Sequence, residues 1–322
     1  MKKILVILSV VLALSSCGTD YVATAGGEKI TRGEFEFYLN SIKSQMSGTE
    51  LETDEDWQTQ EIEGMKAIDV AKERALELAA ENIAYIEVAD FLDVDLTDAE
   101  EANADRLEQN FIMQYGGKNN YNIVLKQLGI DDDFIEMLCE SQIYSEKLAE
   151  LAVQLSPVTE SDREVAFNKL SQEYYNAKHI LFATVDTTTR LPLSDEERLQ
   201  KKTLAEATYQ RILSGEDYDM LMNELSEDPG LQTNPNGYVF GSGEMVPEFE
   251  QGTASLEYNG ITLVESSLGF HIIKRLPITR EDVSDKVEGA AAREKLDVAM
   301  NEWKTQARFN VVKNEELFRS IS

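Results

Sequence analysis

The chain has 322 residues and carries 60 acidic against 30 basic side chains, so its formal net charge is −30 at neutral pH. Such a surface repels polyanions, which excludes nucleic acid as a partner. Two histidines and two cysteines are too few for a disulfide framework or a metal site of recognisable ligand spacing. We therefore expect no metal, no cofactor, and stability that comes from buried cores.

The amino terminus has the pattern of a secretory signal. Lys2 and Lys3 precede an apolar run of 11 residues, 4–14, which as a helix covers only about half of a membrane core. Leu14-Ser15-Ser16-Cys17 resembles a bacterial lipobox, which implies cleavage after residue 16 and lipid attachment to Cys17. The alternative is an ordinary secreted protein that happens to carry Cys17. Cleavage removes the two lysines and changes the net charge to −32.

Helical periodicity dominates the next part of the chain, up to residue 173. Thr31 with Glu34 and Thr97 with Glu100 form capping boxes at helix starts. The predicted elements are a strand over 21–25, a loop over 47–56, and helices over 31–42, 59–92, from 97 to Gly116, 121–128, 131–155 and 160–173. Cys139 lies in one of these helices and has no intramolecular partner if Cys17 is acylated. The pattern predicts an all-helical lobe without catalytic residues.

From residue 174 the pattern changes to short strands that alternate with single helices. The predicted elements are strands over 177–183 and 272–276, helices over 194–213 and 218–225, and then a helical tail over 280–307, a strand over 309–312 and a helix over 315–321. We predict an α+β fold, in which a small antiparallel sheet flanked by helices is inserted into a helical lobe built from both ends of the chain. The expected domains are a signal peptide over 1–16, a lobe over 17–171, an inserted domain over 172–278 and a returning segment over 279–322.

The only two histidines lie 92 positions apart, each within a run of strand-forming residues. His179 lies in the run 177–182 and His271 in the run 269–274. Two neighbouring strands would bring the two rings together.

Between about Tyr175 and Leu276 the chain resembles the parvulin family of peptidyl-prolyl isomerases. The motifs that carry the resemblance are, in order, 177–181, 212–218, 225–228, 240–250 and 260–273. The resemblance implies a catalytic group of His179, His271, Asp228 and Ser266, and an apolar proline pocket that includes Met245, Phe249 and Phe240. The family often has Gly-Gly-Asp-Leu-Gly where this chain has residues 236–240, so Tyr238 reshapes one wall of the pocket.

Isomerisation of an X-Pro bond needs no nucleophile, since only the partial double bond of one amide is disrupted, against a barrier of about 18–20 kcal/mol. An apolar cup favours the twisted amide, which is less polar than the planar one. We hypothesise that the Asp228 carboxylate disfavours the planar form, and that Met245 and Phe249 share one face of a helix.

Each of these residues also has a purely structural interpretation. The histidine pair can serve only to stabilise the sheet, and the apolar residues can be plain core. Asp228, which precedes Pro229 and Gly230, can be a turn former.

The wider arrangement resembles the PrsA-type foldase lipoproteins and, more distantly, the SurA-type chaperones. This resemblance implies a foldase anchored by lipid to the outer face of the cell membrane. It would isomerise X-Pro bonds in secreted or envelope proteins and bind their unfolded chains, and a homodimer is left open. The alternatives are a holdase with an inactive parvulin domain and a structural envelope lipoprotein. The loop 184–194 has one basic residue, Arg190, so phosphorylated substrates are not expected.

Overall fold

A computed structural model describes residues 21–46, 51, 53–62, 64–186, 189 and 191–321. The predicted signal peptide and Cys17 lie outside these residues. The chain divides into two compact units, of which unit 1 comprises Met1–Gln154 with Leu296–Ser322 and unit 2 comprises Leu155–Lys295. Unit 2 is thus an insertion in the sequence of unit 1. None of the described helices is long and apolar enough to span a membrane.

The elements are numbered along the chain. The first part contains β1 (Tyr21–Ala25), β2 (Glu28–Thr31), α1 (Arg32–Met46), α2 (Asp54–Thr59), β3 (Glu61–Ile62), β4 (Met65–Lys66), α3 (Ala67–Phe91), α4 (Asp98–Gln114), α5 (Lys118–Leu128) and α6 (Asp132–Leu155). The second part contains α7 (Glu160–Glu173), β5 (Tyr175–Ala183), α8 (Asp195–Leu213), α9 (Tyr218–Leu225), β6 (Tyr238–Phe240), α10 (Pro247–Ala254), β7 (Ile261–Ser266), β8 (Gly269–Leu276), a 3₁₀ turn (Glu281–Val283), α11 (Ser284–Gln306), β9 (Val311–Lys313) and α12 (Glu315–Ser320).

Unit 1 packs its helices around α3. Ala67, Ala71, Ala75 and Ala79 recur every four residues of this helix and are fully buried, so they form a stripe of small side chains. A stripe of this kind lets α1 pack closely against α3, and the larger Ile68 and Leu76 fill the core beside it. Strand β1 lies in the centre of an antiparallel sheet of order β2-β1-β9, which joins residues from the two ends of the described chain.

The predicted fold class is confirmed, with corrections in the lobe. The lobe is helical but also contains this sheet, because the two predicted terminal strands pair with each other. The helix predicted from Thr59 begins at Ala67, since Ile62 and Met65 pair in a short hairpin. The predicted loop over 47–56 contains the start of α2, because Thr53 and Asp56 form a capping box at its first turn.

Unit 2 contains a four-stranded antiparallel sheet of order β6-β5-β8-β7. Alternate residues of β5 face opposite sides, as the period of a strand requires. Ile180 and Phe182 pack in a cluster with residues of α8 and α9, whereas Ala177 packs with Phe249 of α10. His179 and Leu181 share the face of Ala177. The predicted boundaries at 172 and 278 fall inside unit 2, since α7 and α11 pack together there.

Gly269 is the first residue of β8 and has a φ of +148°. A Cβ here would lie 2.3 Å from the Phe182 carbonyl oxygen, which is rigid backbone of β5. We expect Gly269→Ala to destabilise unit 2 by roughly 2 to 4 kcal/mol, because β8 must move away from β5.

Gly289 provides the matched control. It lies in α11 with open space around its Cβ position, so Gly289→Ala should stabilise the helix by up to about 1 kcal/mol. Amide hydrogen exchange in β5 and β8 of the full chain measures both effects. Equal exchange rates in the two variants would contradict the close approach of β8 to β5 at Gly269.

Candidate active site

The structure brings the two histidines together on one face of the unit 2 sheet. His179 pairs across the strands with Ile273, and Leu181 pairs with His271, so the histidines are diagonal neighbours. Their Nδ1 atoms lie 3.0 Å apart, and their ring planes differ by 13°. His271 is 2% exposed, so its ring is buried at this contact.

Asp228 binds the outer nitrogen of the first histidine. Its Oδ2 lies 3.1 Å from Nε2 of His179 and accepts a hydrogen bond of 2.6 Å from the Tyr238 hydroxyl. Its Oδ1 accepts one of 3.0 Å from the Gly230 amide. The segment before Asp228 follows β5: the Glu227 amide donates to the Leu181 carbonyl at 2.8 Å. The carboxylate is therefore positioned by backbone as well as by side chains.

Ser266, the last residue of β7, binds the outer nitrogen of the second histidine. Its Oγ lies 2.8 Å from Nε2 of His271, and it accepts a hydrogen bond of 3.1 Å from the Leu268 amide. The four residues predicted as catalytic thus form one continuous hydrogen-bonded chain, with Tyr238 added at the Asp228 end.

The chain of hydrogen bonds has a defined direction. An ionised carboxylate only accepts, so His179 must donate to Asp228 from Nε2. A neutral His179 then accepts at Nδ1 from Nδ1–H of His271, which in turn accepts at Nε2 from the Ser266 hydroxyl. Every donor and acceptor of the two rings is satisfied with both histidines neutral, in opposite tautomers.

The electrostatics agree with this arrangement. Burial, reinforced by the neighbouring His179, lowers the pKa of His271 from 6.5 to about 3. Burial acts to raise the pKa of Asp228, but hydrogen bonds from His179, Tyr238 and the Gly230 amide outweigh it and lower that pKa to about 2. Burial and the bond to Asp228 raise the pKa of Tyr238. At neutral pH the His271 ring is therefore neutral and the Asp228 carboxyl is ionised.

An apolar pocket of about 340 Å³ lies over the histidines. Phe249 presents its ring edge-to-face to both, with centroids 5.2 Å from His179 and 5.6 Å from His271. The residues that line the pocket are His179, Leu181, Ala183, Val185, Asp228, Pro229, Tyr238, Glu244, Met245, Val246, Phe249, Leu268 and His271. None of these described lining residues is lysine or arginine.

Two predicted site residues, Met245 and Phe240, are placed differently from the expectation. Met245 lines the pocket but precedes α10, which begins at Pro247, so Met245 and Phe249 do not share a helix face. Phe240 is not part of the lining and packs behind Phe249, with ring centroids 5.6 Å apart. Ser266 is not part of the lining either and supports His271 from below.

Tyr238 both lines the pocket and holds Asp228. Its approach is close enough that a Cβ on Gly230 would lie 2.2 Å from the Tyr238 hydroxyl oxygen. A glycine at position 230 is therefore required for the Tyr238–Asp228 bond.

Several residues that line the pocket were not predicted from the sequence. Leu181 and Ala183 follow His179 at intervals of two along β5, so the strand period alone places them on its face. Leu268 and Val185 lie in loops, and no local signal assigns them.

Comparisons with known proteins give one match to the inserted domain alone and others that extend over more of the chain. Residues 163–277 match the family model of the PPIC-type PPIASE domain. The chain is 28% identical over 300 residues to the foldase protein PrsA of Caldanaerobacter subterraneus, which covers 89% of this chain and 86% of that relative. It is 31% identical over 144 residues to the chaperone SurA of Dechloromonas aromatica, 43% of this chain and 31% of that one. The solved structure of the foldase protein PrsA from Streptococcus pneumoniae matches 91% of this chain and 95% of its own, at 15% identity and a TM-score of 0.35.

The histidine tautomers and titration can be observed directly, because the chain has only two histidines. We expect ring nitrogen NMR spectra to show hydrogen on Nε2 of His179 and on Nδ1 of His271. His271 should remain neutral from pH 7 down to about 3. Since the unfolded chain protonates this ring near pH 6.5, unit 2 should lose stability as the pH falls below that value.

His179→Asn supplies the assignment of the two signals and removes the ring that reinforces the low pKa of His271. Titration of His271 near pH 6.5 in the unaltered protein, or identical tautomers for the two rings, would contradict the hydrogen-bond directions inferred above.

Proposed function

Because the chain carries a parvulin-type peptidyl-prolyl isomerase domain and resembles the PrsA foldases over most of its length, we propose that it is a membrane-anchored extracytoplasmic foldase. It isomerises X-Pro bonds in secreted or envelope proteins and binds their unfolded chains. The resemblance and the isomerase activity predicted from the sequence are confirmed; the anchor, the clients and the roles of single residues are the proposal.

One observation carries the assignment of the reaction site, namely an apolar pocket that has the fixed Asp228 carboxylate in its wall. The pyrrolidine ring of a substrate proline fits against Met245, Phe249 and Leu181, which are apolar and line the same pocket. Asp228 lines it too, and its three hydrogen bonds hold the carboxylate in a fixed orientation. The substrate amide therefore lies between apolar side chains and a fixed negative charge.

Such surroundings favour the twisted amide over the planar one. Resonance in a planar amide places negative charge on the carbonyl oxygen, and that charge decreases as the C–N bond rotates. A fixed carboxylate repels the planar form more than the twisted form, and an apolar wall solvates the less polar species better. Only interactions that differ between the two states lower the barrier, and both of these do.

The histidines serve this arrangement as positioning residues. His179 donates to the carboxylate, and His271 and Ser266 fix the tautomer and orientation of His179 from behind. Because the buried His271 remains neutral, it holds His179 in place without adding a positive charge behind Asp228.

The pocket also bears on the choice of substrate. The acidic side chains in its lining are Asp228 and Glu244, and its described lining has no basic residue. A phosphorylated residue before proline would bring two more negative charges towards Asp228 without a cationic partner. This favours substrates whose residue before proline is neutral or basic.

The sequence of residues 1–17 supports the membrane anchor, because a short apolar run precedes a lipobox-like cysteine. The names of the relatives, a foldase and a chaperone, support unfolded polypeptides as clients. The homodimer stays a prediction.

We expect Asp228→Asn to lower kcat/KM for isomerisation of a proline-containing peptide by about tenfold or more, which corresponds to at least about 1.4 kcal/mol in the barrier. The reason is that the amide side chain keeps the size of aspartate but removes its charge. Exchange NMR between the cis and trans peptide signals measures the rate with the full chain.

Glu248→Gln is the control, since Glu248 is an exposed neighbour of Phe249 that does not line the pocket, and its rate should be unchanged. An unaltered rate in Asp228→Asn would remove the carboxylate from the mechanism. No acceleration by the unaltered, folded chain would favour the holdase alternative.

Cys17→Ser should move the protein from the membrane fraction to the soluble fraction of the expressing bacterium, because the residue that would carry the lipid is lost. Cys139→Ala changes the only other cysteine, which is buried in unit 1, and should leave the protein in the membrane fraction. Immunoblots of the two fractions decide, and an unchanged distribution of Cys17→Ser would contradict lipid anchoring.

A further inference from the structure

Strand β9 is an edge of the unit 1 sheet. It pairs with β1 on one side, and no other described strand pairs with its second side. Val311 and Val312 are 41% and 55% exposed, so this edge strand presents apolar side chains to solvent. An exposed apolar edge strand is a template for another extended chain.

The pairing fixes which backbone groups of β9 face away from β1. Asn310 accepts from the Gly26 amide at 2.9 Å, and the Asn314 amide donates to the Val22 carbonyl at 2.8 Å. Hydrogen-bonding residues alternate along an antiparallel strand, so Val312 also faces β1. The N–H and C=O groups of Val311 and Lys313 therefore point outward.

A groove of about 700 Å³ is lined by both Val311 and Lys313, the two residues of β9 whose backbone groups point outward. Leu76 of α3, Met300 of α11 and Phe309 supply apolar surface in the same groove. The Lys313 ammonium is held by Glu73 at 2.6 Å, so its side chain is tied to α3 while its backbone remains at the edge. Backbone donors and acceptors beside an apolar wall are what an added strand requires.

The charge of the groove lining determines which kind of peptide segment it attracts. Acidic side chains outnumber basic ones in its lining, with Glu73, Glu77, Glu81 and Asp297 against Lys304 and Lys313. This excess has the same sign as the net charge of −30 on the whole protein. A segment with alternating apolar and basic residues would place apolar side chains against the wall and positive charge near the acids.

We propose that the β9 edge and this groove bind an extended, apolar and basic segment of an unfolded polypeptide by strand addition. The proposal rests on the client-binding part of the proposed function and names its surface. It is independent of the isomerase site, because it requires no proline in the bound segment.

The test uses the full chain and two labelled, proline-free probes, a peptide of alternating valine and lysine and one of alternating valine and glutamate. Fluorescence anisotropy should show binding of the lysine peptide and at least about tenfold weaker binding of the glutamate peptide. Val311→Pro should weaken binding of the lysine peptide by about tenfold or more, because proline removes an outward N–H while leaving the β1 pairing intact.

Val312→Thr is the matched control, since this side chain is in the same strand but does not line the groove, and its affinity should stay within about twofold of the unaltered chain. Hydrogen exchange on the unaltered chain provides a second measurement. The lysine peptide should slow exchange at the Val311 and Lys313 amides and leave Val312 unchanged.

Unchanged affinity of a folded Val311→Pro variant for the lysine peptide overturns the proposal. If that variant does not fold, the hydrogen exchange of the unaltered chain decides, and the proposal is overturned when the lysine peptide does not slow exchange at Val311 and Lys313. Failure of the unaltered chain to bind either peptide would contradict client binding at this surface, whereas loss of isomerase activity is a separate result measured on the proline-containing peptide.

Discussion

The antiparallel pairing of β5 with β8 is the constraint on which the active site depends. Eight residue pairs, from Asn176 with Leu276 to Ala183 with Gly269, fix the register. A shift of one residue in either strand would turn its histidine to the opposite face of the sheet and break the contact between the rings. Asp228, Ser266 and Phe249 all contact these rings, so their arrangement follows from the same register.

The buried polar chain is compatible with a stable core because each of its members has a partner. An unsatisfied polar group in this position would cost about 1 to 3 kcal/mol, and a second charge would cost more. The structure avoids the first cost because both histidine rings have hydrogen-bond partners, and it limits the second because His271 stays neutral while the ionised Asp228 lies at one end, beside the pocket. Stability and reactivity thus use the same hydrogen bonds.

The sequence predicted most of the helices and all the residues of the polar chain, for different reasons. Capping boxes such as Thr97 with Glu100 are local, so they mark a helix start without tertiary information. The β3–β4 hairpin has two residues in each strand, too few for a period to appear. The roles of Tyr238 and Leu268 depend on loop conformations that bring distant residues together, and no periodicity encodes those contacts. The resemblance to the parvulin family supplied the site residues, but not the separation of Phe240 and Ser266 from the pocket surface.

The pairing of β1 with β9 has a consequence for the order in which the protein can fold during its synthesis. The Asn314 side chain donates a hydrogen bond to the Tyr21 carbonyl across 293 positions, so the unit 1 sheet cannot close until almost the whole chain has been synthesised. Unit 2 is continuous from Leu155 to Lys295, and its contacts become available earlier. Closing such a long loop costs little more conformational entropy than closing a shorter one, but the contact itself forms later. During that interval the nascent chain exposes an incomplete sheet, and such unpaired strand edges are prone to aggregation.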